Sequence, residues 1–166
     1  YTETNPNGFI PGEAAVALLL GKPEAGKAQT CITGLGLGDE PATIGSGEIL
    51  RANGLSEAIR QAAADAGIRV CDTDFRISSA NGEEYWFKEA SLAQSRTLEH
   101  KRDTHPLWHP ADNIGEVGAA VGGAMVVMAH YAFAKGYAPG RRALCQISND
   151  DHQRGAFILE RTEGKG

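Results

Sequence analysis

Cysteine is scarce in this chain. There are three, Cys31, Cys71 and Cys145, with no CxxC or CxxxC spacing. An odd count without paired spacing excludes a disulfide framework and a zinc knuckle. Each cysteine sits in an apolar, strand-like run, which predicts buried reduced thiols and a cytoplasmic setting. Positive charge is also in deficit. Against 21 Asp+Glu stand 16 Lys+Arg, a net charge of -5. That balance leaves no electrostatic footprint for nucleic acid or an anionic membrane, so neither is expected as a partner. No basic stretch followed by an apolar one opens the chain, so no signal peptide is read. Internal repeats and low-complexity segments are missing too.

What remains is ordinary globular material. The 166 residues are 42% hydrophobic and 22% charged, enough to bury a core, and disorder and collagen-like classes are excluded. Glycine is plentiful at 21 residues, which points to tight turns or close backbone packing. The first residue is Tyr1, not Met, and a cut through a larger protein is expected.

The patterning predicts an α/β order of β-β-α-β-α-α-β-β. Ala14 to Leu20 is a wholly apolar run bounded by Pro and Gly, the pattern of a buried strand. Ala28 to Leu37 reads as a second strand, joined to the first as a hairpin. A helix begins near Ser56, with Ser56 as its cap and Ala58, Ile59, Ala62, Ala63 and Ala66 as its apolar stripe. Gly67 ends it. Val70 to Ser79 reads as a strand, ended by the Asn81-Gly82 turn. A helix over Glu83 to His100 follows, then a loop over Lys101 to Pro110. Ile114 to Lys135 is the longest periodic segment, stopped by Gly136. Its Gly/Ala-rich, uncharged stretch from Val117 to Ala134 has the length of a membrane span. The glycines, His130 and a mean hydropathy of -0.29 for the chain argue instead for a core helix covered on both sides. Ala143 to Ser148 and Ala156 to Glu160 are two last strands, joined by the turn 149–155.

Several local features carry candidate chemistry. Gly34, Gly36 and Gly38 form GxGxG after a strand, but an acidic, proline-containing loop follows where a dinucleotide fingerprint needs a helix. His100, His105 and His109 are metal-capable residues on a proline-broken loop, where a solvated loop is the simpler reading. Asp150-Asp151-His152 is either an acid/base cluster or a polar hairpin tip. Trp86 and Trp108 are read as packing residues rather than ligand-stacking ones.

Four segments taken together resemble a known family. They are Asn7-Gly8-Phe9-Ile10-Pro11-Gly12-Glu13-Ala14-Ala15, then Ile77-Ser78-Ser79-Ala80-Asn81-Gly82, then Asn113-Ile114-Gly115-Glu116-Val117-Gly118, and finally Phe157-Ile158-Leu159-Glu160. In this order they resemble the back half of the β-ketoacyl-acyl-carrier-protein synthases of the thiolase-like superfamily, with its GFxPGEGAA, HGTGT, NIGH and final-strand motifs. The resemblance implies a thiolase-like fold of five layers, αβαβα. Residues 1–38 would hold the last strands of the N-terminal half. Residues 39–166 would form the C-terminal half, a mixed five-stranded sheet with a buried Gly/Ala-rich helix.

The family reaction is a decarboxylating condensation. A cysteine carries the acyl group as a thioester, and two further residues stabilise the enolate formed from a malonyl thioester. The resemblance places Asn81 and Glu116 at the two active-site histidine positions, with His152 in the segment that replaces the family's glycine-rich loop. None of the three cysteines matches the nucleophile, and the family's lysine is replaced by Ala111. An ionised carboxylate at position 116 repels an enolate oxygen. The expectation is therefore a ketosynthase-like protein that has lost standard condensing activity and acts as a binding or assembly partner. The alternative is an acyl-thioester acyltransferase with an altered site built from Asn81, Glu116 and His152. The implied partners are the missing N-terminal half, a homo- or heterodimer partner, and acyl-CoA or acyl-carrier protein. No cofactor and no metal is expected.

Overall fold

The computed structural model describes residues 7–164. Residues 1–6 of the expected first unit lie outside the described residues. One five-stranded mixed sheet organises the chain, in the order β1-β5-β4-β2-β3. The strands are β1 (Thr30–Asp39), β2 (Phe75–Ser78), β3 (Leu107–Trp108), β4 (Arg142–Ser148) and β5 (Gln153–Arg161). β1, β5 and β4 run antiparallel, whereas β4, β2 and β3 run parallel. The helices are α1 (Asn53–Asp65), α2 (Glu84–Thr97), the single turn α3 (Ala111–Ile114) and α4 (Val121–Lys135).

Strand alternation sorts side chains onto the two faces of the sheet. On one face Leu144 and Ile158 pack with Leu55, Ile59 and Ala62 of α1 and Ala93 of α2. On the other, Phe75, Ile77, Cys145 and Leu159 pack with Met125, Ala129 and Phe133 of α4. The mixed sheet and the Gly/Ala-rich helix thus match the expected architecture.

The ends of α1 show how local sequence acts. At its C-terminus, Ile68 N–H donates to Ala63 O and Gly67 N–H to Ala64 O, with Gly67 at φ 65°. That double closure requires a left-handed residue, and glycine adopts it without a Cβ clash. The N-terminus differs from expectation. The helix starts three residues before Ser56, whose hydroxyl donates back to Ala52 O. The capping acceptor is the buried Glu40 carboxylate, which takes the Gly54 N–H at 3.0 Å and the Ala42 N–H at 3.3 Å. A carboxylate there also meets the positive end of the helix dipole.

Other expectations need correction. Ala14 to Leu20 forms no strand and no hairpin with β1. It lies outside the sheet, its Val16 rests on Gly123 of α4, and Leu19 is fully exposed. An apolar run becomes a strand only where a neighbouring strand accepts its hydrogen bonds. β1 pairs with β5 from Thr30 to Asp39, with a register shift between Ile32 and Gly34. The segment 70–79 is divided into a 3-10 turn (Val70–Asp72) and β2. The 101–110 loop contributes the short strand β3, and 114–135 is broken at Gly115, so the long helix begins at Val121. Only one side of α4 is covered among the described residues, since Val127 and Tyr131 remain exposed.

Candidate functional site

The Asn81 and Glu116 side chains meet at the C-terminal end of β2. Asn81 follows β2 by three residues, and its Oδ1 accepts the Glu83 N–H at 3.3 Å, a side-chain turn that leads into α2. Its Nδ2 donates to Glu116 Oε2 at 2.9 Å. Glu116 sits between α3 and α4, and its Oε1 accepts the Gly118 N–H at 2.7 Å. Each carboxylate oxygen therefore accepts one hydrogen bond, and the Asn81 amide donates one of its two N–H groups and accepts one bond.

A strap formed by residues 7–12 lies across this pair. Glu116 N–H donates to Ile10 O, and Gly12 N–H donates to Glu116 O, each at 2.8 Å. Asn7 Oδ1 accepts the Glu84 N–H at 2.8 Å. The approach is backbone to backbone, because a Cβ on Gly12 would overlap Ile114 O.

His152 does not join them. Its ring is exposed and its Nε2 lies 3.5 Å from Asp39 Oδ1, while its carbonyl accepts the Glu40 N–H at 2.7 Å. The turn that carries it is held by Arg154, whose Nη1 donates to the carbonyls of Asn149, Asp151 and Gln153 at 3.1, 2.6 and 2.9 Å.

Sequence reasoning missed the polar cluster beneath this turn. Arg154 Nε donates to Glu89 Oε1 at 2.7 Å, with both side chains fully buried. Ser148 Oγ donates to Glu89 Oε2 at 2.6 Å. Arg154 Nη2 donates to the Tyr85 hydroxyl, which donates to Ala42 O, and the guanidinium lies 5.6 Å from the centre of the Trp86 ring. Burial pushes the Glu89 carboxyl upward, opposed by the Ser148 hydroxyl and the Arg154 guanidinium. Ser148 N–H donates to Ser79 Oγ at 3.0 Å, so the cluster is continuous with the strand end that precedes Asn81. The partners lie 59 and 65 residues apart, and no local pattern signals such a pair.

The remaining candidates separate. His105 accepts or donates at Thr73 Oγ1 (3.0 Å), His109 lies 3.4 Å from Asp112, and His100 is exposed. Burial first, then the charges of Arg76 and Arg102, lower the His105 pKa to about 4, with Asp74 opposing. Among the described residues no three His, Cys, Asp or Glu side chains gather as a metal-binding group. The Trp108 ring packs 4.6 Å from Phe75, and the Trp86 indole N–H donates to Glu83 Oε2 at 2.9 Å. Cys145 is buried, and Cys31 and Cys71 are half-buried, all as free thiols. A groove of about 860 Å³ separates the segment 18–24 from β1 and α4, lined by Leu18, Leu20, Ile32, Val127 and Tyr131.

The five-stranded mixed sheet with its helices is similar in fold to solved ketosynthases. A ketosynthase in complex with its chain length factor from Xenorhabdus doucetiae matches with a TM-score of 0.72 and 12% identity, over 85% of this chain and 40% of that one. An oxazolomycin ketosynthase domain from Streptomyces albus matches with a TM-score of 0.71 and 14% identity, over 82% of this chain and 30% of that one. A β-ketoacyl synthase from Burkholderia phymatum matches with a TM-score of 0.62 and 14% identity, over 80% and 37%. The chain thus spans about 40% or less of the length of these structures. No protein-family model and no curated protein sequence matches it. No helix among the described residues is long and apolar enough to cross a membrane.

Proposed function

We propose that this chain is the C-terminal part of a ketosynthase-like subunit that does not condense acyl thioesters and acts as a binding or assembly partner. One observation carries the reading. The Asn81 amide, at the position that the resemblance gives to an enolate-stabilising donor, directs an N–H at Glu116 and accepts the Glu83 N–H through its oxygen. Condensation needs donors aimed at the oxygen where negative charge develops. Here the donor points at a carboxylate, and a carboxylate beside an enolate raises its energy.

The partner is a condensing ketosynthase in a heterodimer. Support comes from neighbours that are ketosynthase and chain length factor pairs. The same face supports a missing N-terminal half. Ala14 to Leu20 is an apolar segment outside the sheet, and Val127 and Tyr131 of α4 stand exposed beside the groove that its end lines. An acyl-carrier protein is a further partner of this assembly, since one similar ketosynthase is seen in complex with its carrier protein.

The test is to incubate the full-length protein with acyl-CoA and with acyl-carrier protein, then measure its intact mass. The proposal expects no covalent acyl adduct on this subunit. An adduct would establish the altered acyltransferase in its place.

A further inference from the structure

The glycine repeat Gly34, Gly36, Gly38 binds nothing at the site above, and its role lies at the edge of the sheet. On the face toward α1, a Cβ at these positions would overlap the carbonyl oxygens of Ala62, Ala58 and Gly54. Without side chains there, the helix rests directly on the β1 backbone. The exposed helix row Glu57, Gln61 and Asp65, spaced by four residues, is then carried over the outer edge of the strand.

Among the described residues that edge is the open edge of the sheet, because β1 is its outermost strand. Asp65 Oδ2 accepts the Leu35 N–H at 2.9 Å, and Gln61 Oε1 accepts the Leu37 N–H at 3.2 Å. Glu57 orients the second contact, since Gln61 Nε2 donates to Glu57 Oε1 at 2.9 Å. The strand needs such covering. Its Ile32, Leu35 and Leu37 side chains are exposed, and an apolar edge strand with bare amides is a template for another strand.

We propose that Gln61 and Asp65 close the β1 edge against strand addition by a second copy of this chain. The helix supplies acceptors to the outward amides, so an incoming strand finds them already engaged. Association is thereby steered from the edge to the faces of the sheet. The GxGxG spacing is what allows it, because any larger residue would hold α1 away.

Hydrogen exchange and sedimentation on the full-length protein test this. In the wild type, the Leu35 and Leu37 amides are expected to be protected although no strand faces them. Asp65→Ala is expected to speed Leu35 exchange about tenfold and leave Leu37 unchanged, and Gln61→Ala to do the reverse. Asp65→Asn keeps an acceptor oxygen and keeps Leu35 protected. The double alanine variant is expected to gain mass with concentration, which the wild type does not do through this edge. The Leu144 amide in β4 reports whether the sheet is intact, and where it loses protection in the double variant, Asp65→Ala alone carries the sedimentation measurement. Unprotected Leu35 and Leu37 in the wild type would overturn the proposal. So would an intact double variant that exchanges faster at both amides yet sediments as the wild type at every concentration.

Discussion

Asn81 donates its amide to the Glu116 carboxylate at 2.9 Å, and this one bond occupies the positions where the resemblance expects two enolate-stabilising histidines. The bond is part of the fold as well as of the candidate site. Glu116 also receives the Gly118 N–H, and its backbone pairs with the strap at Ile10 and Gly12.

Glu116→Ala should therefore act on stability. It strands the Asn81 amide in a half-buried position, while the exposed Gly118 N–H turns to water, at a cost of about 1 kcal/mol. Glu116→Gln should cost less, because one oxygen still accepts from Gly118. Urea denaturation of both variants checks the order.

The Arg154 and Glu89 pair should be sensitive to loss of one partner. Arg154→Met leaves a carboxylate buried without its cation and releases the carbonyls of the 149–153 turn. A loss of about 3 to 5 kcal/mol is expected, and Glu89→Gln added to Arg154→Met should recover part of it. A double-mutant cycle by denaturant unfolding measures the recovery.

His105 should impose a pH slope on stability. Its folded pKa of about 4 lies below the ordinary value near 6.5. Between those values the unfolded chain binds a proton that the folded chain refuses, so stability falls as pH drops through that window and levels off below it. Arg76, Arg102 and Asp74 are the charged groups that face the ring, and Thr73 is its hydrogen-bond partner. The slope should be shallower in His105→Gln, as read from urea midpoints between about pH 7 and about pH 4.

Gly36→Ala should destabilise the sheet far beyond an ordinary strand substitution. The new methyl would overlap Ala58 O on the rigid helix backbone. A loss of about 3 kcal/mol, visible as a lowered Tm, is expected.

Much of the fold could be read from the chain itself. The apolar stripe of α1, its Gly67 terminator and the paired final strands are local patterns, and they appear where periodicity places them. Ala14 to Leu20 misled, because an apolar run states what a segment buries but not where its partner strand lies. Ser56 misled in a different way, since the helix cap came from Glu40, sixteen residues earlier in the chain. The site was legible only through the four ordered motifs. They singled out Asn81 and Glu116, but not that the two side chains would bond to each other. His152 was placed near the site by sequence alone. The carbonyl grip of Arg154 holds its turn beside Asp39 instead, and that grip depends on Glu89 in a distant helix.

Decarboxylation of a malonyl thioester by the full-length protein tests the central claim most directly. With Asn81 committed to Glu116, release of carbon dioxide should not exceed the rate without protein, and Asn81→Ala and Glu116→Ala should leave it unchanged. Release above that rate, lost in either variant, would contradict the account.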